Sequence, residues 1–301
     1  MKLVSLKHGD GEQAAIEHAE RFFLLEEINR AEGSSWGTSV MEILQQSQLE
    51  ELIQWYQKHG DRAVSSIPFI PSKEATAAPL FRHPRKIWGI GMNYVQKAID
   101  LASTPPEREP VCFMKPDSSL IGPEEYIQLT AQDVNVTSEA ELGIIIGRTC
   151  KNVPEERAQE VIAGFAATLD MTNQDIHARN PRFLQRSKVF DTFFSLGPQL
   201  ITPDEISDLQ SLVVETVLND EVIHSNTVSR MMYHPWFIVS YFSQMMTLYP
   251  GDVIMTGTPG SVRIQQGDVA ECRISGFMTL RNPVGEVVQI ISNFPWGVVM
   301  R

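Results

Sequence analysis

From Lys86 onward, apolar and β-branched residues come in short runs punctuated by Gly and Pro. The runs are KIWGIG, PVCFMK, AELGIIIG, GFAATLDMT, QLITPDEI, LVVETVLN, GDVIMTG and DVAECRISG. Runs of this length, bounded by turn formers, predict strands. Two segments break the pattern. Pro154 to Ile162 has acidic residues in its first turn, as a helix dipole favours, and predicts a helix. Trp236 to Met246 is apolar nearly all round, which predicts a buried helix.

The preceding segment has a different rhythm. KLVSLKH and QAAIEHA flank the turn-like GDGE and predict a hairpin. RFFLLEEI fits either a third strand or a short helix, because periodicity does not separate them. SVMEILQQ and LEELIQWYQKHG repeat apolar residues at helical spacing, and Gly60 is the expected stop. SSIPFIPSKEATAAPLFRHP, with four prolines, reads as a linker. These patterns predict a small α+β unit over residues 1–77 and a main domain over residues 78–301. The fold class is mixed α/β, dominated by β-structure of many short strands. A chain of 301 residues fits about two domains.

Composition narrows the function. The chain is 43% hydrophobic and 21% charged, enough apolar material for a large core. A net charge of −12 without a long basic run argues against nucleic-acid or anionic-membrane partners, although a local basic pocket for a small anion remains compatible with it. Cys112, Cys150 and Cys272 are scattered, with no CxxC spacing, so neither a disulfide framework nor a zinc knuckle is indicated. No signal-peptide h-region opens the chain and no apolar run approaches the ~20 residues of a membrane span. A cytoplasmic location is the default expectation.

The segment SEAELGIII carries the first chemical signal. Alternation along a strand puts Glu139 and Glu141 on one face and Ala140 on the other. Two carboxylates that close repel unless solvent, a Lys or Arg, or a metal compensates them. Asp170 ends the apolar GFAATLD, where an unpaired charge is costly. Three carboxylates, with no His or Cys among them, make a hard-oxygen site. Such a site suits Mg²⁺, Mn²⁺ or Ca²⁺ better than zinc. GIGMNY contains Gly89-x-Gly91 but has Tyr94 where a dinucleotide fingerprint needs a third glycine.

With these residues in place, the chain resembles the fumarylacetoacetate hydrolase family. SEAELGIIIGR, GFAATLDMT, SKVFDTFFSLGP and LYPGDVIMTGTP occur in that family's order and spacing, together with GIGMNY, FMKPDSSLIGP and GFMTLRNPV. The similarity covers roughly Lys86 to Val284. It implies a mixed β-roll core, a variable N-terminal domain and a homodimer or dimer of dimers. It also implies a divalent metal, commonly Mg²⁺ or Mn²⁺, held by Glu139, Glu141 and Asp170, that chelates a 2-oxo acid. By the same resemblance Lys188 faces the substrate, and Thr258 and Gly257 cradle its carboxylate. Lys115 matches a motif near the pocket, and Asp191 reads as structural.

The departures from the family pattern are informative. The histidine and glutamate that follow NY in hydrolase and decarboxylase members are Lys97 and Asp100 here. Lysine is a poor base at neutral pH unless burial lowers its pKa. After the metal aspartate, Gln174 and His177 replace the usual Arg and Gln. His177 brings a group that titrates near neutrality, a candidate base. The resemblance therefore predicts an enzyme acting on a 2-oxo or 2,4-dioxo acid through an enolate. C–C hydrolysis of an acylpyruvate-type substrate leads. The alternatives are isomerisation or decarboxylation of a 2-hydroxymuconate-type dioate or oxaloacetate, dehydration of a 2-keto-3-deoxy sugar acid, or non-catalytic binding of a metal and oxo acid.

Overall fold

The computed structural model describes residues 1–63, 66–95, 109–129 and 135–286. Two long strands organise it. Val136–Ile146 and Ile162–Asn173 pair antiparallel along nearly their whole length, and every residue in both is buried. Burial on both faces demands near-continuous apolar sequence, which GIII and GFAATL supply.

These strands sit inside a 13-stranded mixed sheet, counted among the described residues. Val253–Met255 and Ser261–Ile264 flank Val136–Ile146 on one side. Beyond Val253–Met255 lies Ile87–Gly91, parallel to it, and then Val111–Lys115. On the other side Ile162–Asn173 pairs with Phe194–Leu196 and Gln199–Ile201. A second sheet runs Glu221–Thr227, Val213–Leu218, Val269–Ile274, Leu280–Glu286 and Ile127–Leu129. Val214, Cys272 and Leu280 from this sheet share one core with Leu142, Ile144 and Leu169. The helix Pro235–Met245 closes that core with Ile238, Val239 and Phe242. The β-dominated mixed architecture is as expected, and the eight strand-like runs all contribute strands.

Several local expectations need correction. RFFLLEEI is both alternatives at once, a strand Arg21–Leu24 running into a helix Leu25–Glu32. The helix takes over where Glu26 and Glu27 supply an acidic first turn, and it ends at Gly33 in the left-handed region. Gly60 does not stop its helix, which spans Leu49–Ala63; tertiary packing overrides the weak propensity of one glycine. The segment after Pro154 is a 3₁₀ helix, Glu155–Val161. It has no side-chain cap and buries only Ala158, too little to hold α-turns in place. The proline-rich stretch is not a free connector. Ile70–Pro71 adds a strand edge to Arg21–Leu24, Ala77 bridges Leu6, and Ala78, Leu80 and Phe81 are buried. Lys2–His8 pairs with Gln199–Ile201, so the main sheet continues across residue 77.

Arg82 ties the first hairpin to the rest of the fold. It donates to Glu12 Oε1 at 2.6 and 3.0 Å and to the Glu125 carboxylate at 2.6 and 2.9 Å. Burial pushes the Glu125 carboxyl up, but the Arg82 guanidinium and the Gly122 amide outweigh it and hold it below its ordinary value. Arg82 is 34% exposed, so solvent screens the pair and Arg82→Ala is expected to cost only about 1 kcal/mol at pH 7. A depressed carboxylate stabilises above its unfolded pKa, about 4.3, and that share is lost as pH falls through the lower folded value. Urea unfolding of both chains at pH 7 and pH 3 should show the difference shrinking in acid.

Candidate metal centre

Strand register assembles the three carboxylates. Asp170 stands directly opposite Glu139, and Thr168 opposite Glu141, so the acidic side chains share one face. One oxygen from each lies within 4.8 Å of the others. Glu139, Glu141 and Asp170 are only 5%, 1% and 0% exposed, which removes the reading of them as solvated charges at a strand start. Burying carboxylates this close needs compensation of several kcal/mol per charge.

Two buried lysines supply part of it. Lys188 Nζ donates to Asp170 Oδ2, to Thr172 Oγ1 at 2.7 Å and to Glu139 Oε2 at 3.3 Å. Burial by itself would lower the Lys188 ammonium, but Asp170 and then Glu139 outweigh it and raise it above its ordinary value. Lys115 Nζ donates to the carbonyls of Met171, Lys188 and Phe193 at 3.0, 2.7 and 2.7 Å. It also lies 2.8 Å from Asp170 Oδ1. An ammonium has three hydrogens, so these four acceptors share them. Asp170 Oδ1 is therefore paired with the Lys115 ammonium by charge and a shared hydrogen, and no other described group donates to it. At Lys115 burial wins, pulling its pKa down to about 8 against the opposing pull of Asp170.

The donor set fits a hard divalent cation. A buried carboxylate oxygen that only shares one ammonium keeps a lone pair for a metal. Three carboxylates and two ammonium groups carry one net negative charge, which a divalent ion converts to one net positive charge. That balance favours a carboxylate ligand.

The surrounding elements position these groups. The Lys188 ammonium lies 4.2 Å from the centroid of the Phe113 ring. Phe113 fits because residue 89 is glycine: a Cβ there would stand 2.2 Å from the ring. The Gly89-x-Gly91 pattern thus begins with a packing requirement. Gly257, in the left-handed region at φ +92°, donates its N–H to Glu141 Oε2 at 2.5 Å. Thr258 Oγ1 donates to the Gly260 carbonyl at 2.9 Å, closing the turn on itself. Thr216 Oγ1, from the second sheet, donates to the same carbonyl at 2.8 Å and accepts the Ala140 N–H at 3.2 Å. The strand that carries both glutamates is thereby fastened to the turn that holds Glu141.

Of the residues singled out in the sequence, the fold gathers Glu139, Glu141, Asp170, Lys188, Lys115 and Gly257, with Thr258 in the adjoining turn. Gln174 and His177 stand on a short helix, Gln174–Arg179, that continues directly from the Asp170 strand. Gln174 Nε2 donates to Thr137 Oγ1 at 3.0 Å, and His177 is half-buried. Asp191 is exposed. Lys97 and Asp100 lie outside the described residues. Thr172, Thr216 and Asn93 were not anticipated. Thr172 was reachable, since strand alternation puts it on the face of Asp170. The other two bond across folds of chain that no local pattern reveals.

A mixed β core burying three carboxylates beside two lysines defines an enzyme scaffold built for a divalent cation. Residues 86–285 match the family model described as fumarylacetoacetate (FAA) hydrolase C-terminal, and the chain belongs to the fumarylacetoacetate hydrolase family. It is 33% identical over 229 residues to the mitochondrial oxaloacetate tautomerase FAHD2B of Homo sapiens, covering 73% of each chain. It is 28% identical to the solved 5-carboxymethyl-2-hydroxymuconate delta-isomerase from Mycobacterium smegmatis, with a TM-score of 0.73 over 96% of this chain and 100% of that one. Maleylpyruvate hydrolase from Sphingobium sp. SYK-6, solved with manganese(II) and pyruvate, is 25% identical with a TM-score of 0.76, over 95% and 99% of the two chains. The protein is an enzyme of this hydrolase, isomerase and tautomerase family, and its cofactor is a divalent metal ion. No helix among the described residues is long and apolar enough to cross a membrane.

Proposed function

We propose that Glu139, Glu141 and Asp170 hold Mg²⁺ or Mn²⁺, and that the enzyme interconverts the keto and enol forms of a 2-oxo dicarboxylic acid of the oxaloacetate type. The observation that carries the metal assignment is the buried triad itself, in which one oxygen from each of Glu139, Glu141 and Asp170 lies within 4.8 Å of the others. A divalent cation bound there supplies Lewis-acid polarisation of a keto oxygen and stabilises enolate charge. Lys188 presents its ammonium beside the same carboxylates, and it would donate to a developing oxyanion by giving up one of its present acceptors, Thr172 Oγ1 or Glu139 Oε2. Lys115 has its ammonium enclosed by three carbonyls and Asp170 Oδ1, so its work is to neutralise Asp170. Thr258, Gly257 and Gln174 would line the substrate side of this centre.

Tautomerisation asks only that a proton leave the carbon next to the keto group and that one arrive on the oxygen. Hydrolysis also asks for an activated water, and the histidine–glutamate pair tied to that role in the family is Lys97 and Asp100 here. The oxaloacetate tautomerase, 33% identical over 73% of both chains, supports the same reading. The second reading, hydrolytic C–C cleavage of an acylpyruvate, is favoured by the whole-chain likeness to maleylpyruvate hydrolase. In that case His177 is the candidate base. A homodimer belongs to the proposal and is checked by light scattering.

The deciding assay uses chelator-stripped protein. With Mg²⁺ or Mn²⁺ restored, enol oxaloacetate should disappear far faster than in protein-free buffer, followed by its ultraviolet absorbance. Acylpyruvates should be cleaved slowly or not at all. Rapid acylpyruvate cleavage without tautomerase activity would select the second reading. Full activity in excess chelator would remove both.

A further inference from the structure

Asn93 follows the strand Ile87–Gly91 and is completely buried. Its Nδ2 donates to the Thr256 carbonyl at 2.7 Å and to the Tyr233 carbonyl at 2.9 Å. Its Oδ1 accepts the Tyr233 N–H at 2.8 Å. The Thr256 carbonyl is one end of a peptide unit whose other end is the Gly257 N–H. That N–H is the group that donates to Glu141 Oε2 at 2.5 Å.

A peptide unit is planar and trans, so its C=O and N–H point in opposite directions. Whatever grips the carbonyl therefore aims the N–H. The Thr256–Gly257 peptide has an alternative orientation within reach, because glycine accepts either sign of φ at little cost. A flipped peptide would set a carbonyl oxygen against the Glu141 carboxylate. Asn93 closes that alternative twice. Its amide holds the carbonyl, and its Cβ packs against the turn so closely that a Cβ on Gly257 would lie 2.7 Å from it. Met92, immediately before it, has φ +56°, a conformation that a non-glycine residue keeps when its surroundings impose it. Hydrogen bonds in series through one peptide also polarise one another, strengthening the N–H as a donor.

We infer that Asn93 is a positioning residue for the metal centre. It sets the cation affinity of Glu139, Glu141 and Asp170 by fixing the peptide that orients Glu141. The inference rests on the proposed metal ligation. Groups that orient a metal's ligands typically change affinity 10–100-fold when removed.

The test is Mn²⁺ titration of the chelator-stripped chain, with free Mn²⁺ read by electron paramagnetic resonance. Asn93→Ala should weaken Mn²⁺ binding by about tenfold or more. In a Glu141→Ala background, which leaves the Gly257 N–H nothing at position 141 to orient, the same substitution, titrated at higher Mn²⁺, should change affinity by less than about twofold, because the pair acts as a unit. Urea unfolding of the metal-free chains records the separate cost of the lost Tyr233 hydrogen bonds. Lower stability with unchanged Mn²⁺ affinity would reduce Asn93 to a structural residue and overturn the inference. So would an undiminished tenfold effect in the Glu141→Ala background. If the alanine chain does not fold, Asn93→Ser is the second variant, with the same expected loss and the same overturning results. Should Asn93→Ser also fail, a Gly257 amide resonance in the wild-type chain that is insensitive to Glu141→Ala would overturn it. A wild-type chain that binds no Mn²⁺ sinks the proposed ligation itself. Binding by wild type with equal binding by the variants sinks only the role of Asn93.

Discussion

Glu141→Gln should cut metal-dependent turnover on the order of 10²–10³-fold while leaving the metal-free fold intact. The substitution removes one negative charge and keeps an oxygen that can accept the Gly257 N–H. Losing a charged group that stabilises the transition-state cation site is expected to have an effect of that size. Stability should move the other way. Glu141 is 1% exposed and shares its face with Glu139 and Asp170, so removing its charge relieves like-charge repulsion. Thermal unfolding of the stripped variant should therefore occur at or above the wild-type temperature, and the upward shift that Mn²⁺ gives the wild type should shrink. Turnover unchanged by the substitution would exclude Glu141 from the chemistry. A collapse of the metal-free fold would mean that the carboxylate is structural.

Lys115→Met should produce the largest loss of stability, about 3–5 kcal/mol in the metal-free chain, as expected when one partner of a buried ion pair is removed. Lys115 and Asp170 both have side chains that are 0% exposed. Methionine fills much of the volume but offers no hydrogens, so the carbonyls of Met171, Lys188 and Phe193 lose a shared donor at the same moment. Saturating Mn²⁺ should recover part of the loss, because a divalent ion supplies counter-charge to Asp170. Denaturant unfolding with and without Mn²⁺ measures both. An equal loss in the two conditions would show that Lys115 and the metal do not share Asp170.

How far the sequence reached is clearest at Asp170. An aspartate closing GFAATLD announces that a buried charge needs a partner, and alternation puts Glu139 and Glu141 on one face before any coordinates are known. Lys188 and Lys115 entered through a resemblance, and exposures of only 5% and 2% show that neither is a solvated surface lysine. The helical stretches were less legible. Gly60 suggested a stop that packing overrode, and the segment after Pro154 had acidic residues to start a helix but too few buried contacts to keep it an α-helix.

By itself the sequence determined the β-dominated class, the place of many of the strands along the chain and the oxygen-rich character of the site. These follow from alternation, turn residues and side-chain type, all of which are local. The tertiary structure decided that Asp170 stands opposite Glu139, that Lys115 is enclosed by three carbonyls and Asp170 Oδ1, and that Asn93 grips a peptide 163 positions away. Register and hydrogen-bond partnership depend on which distant segments pack together. A local pattern can require that a buried charge be compensated, but only the packed fold settles which group compensates it and from what distance.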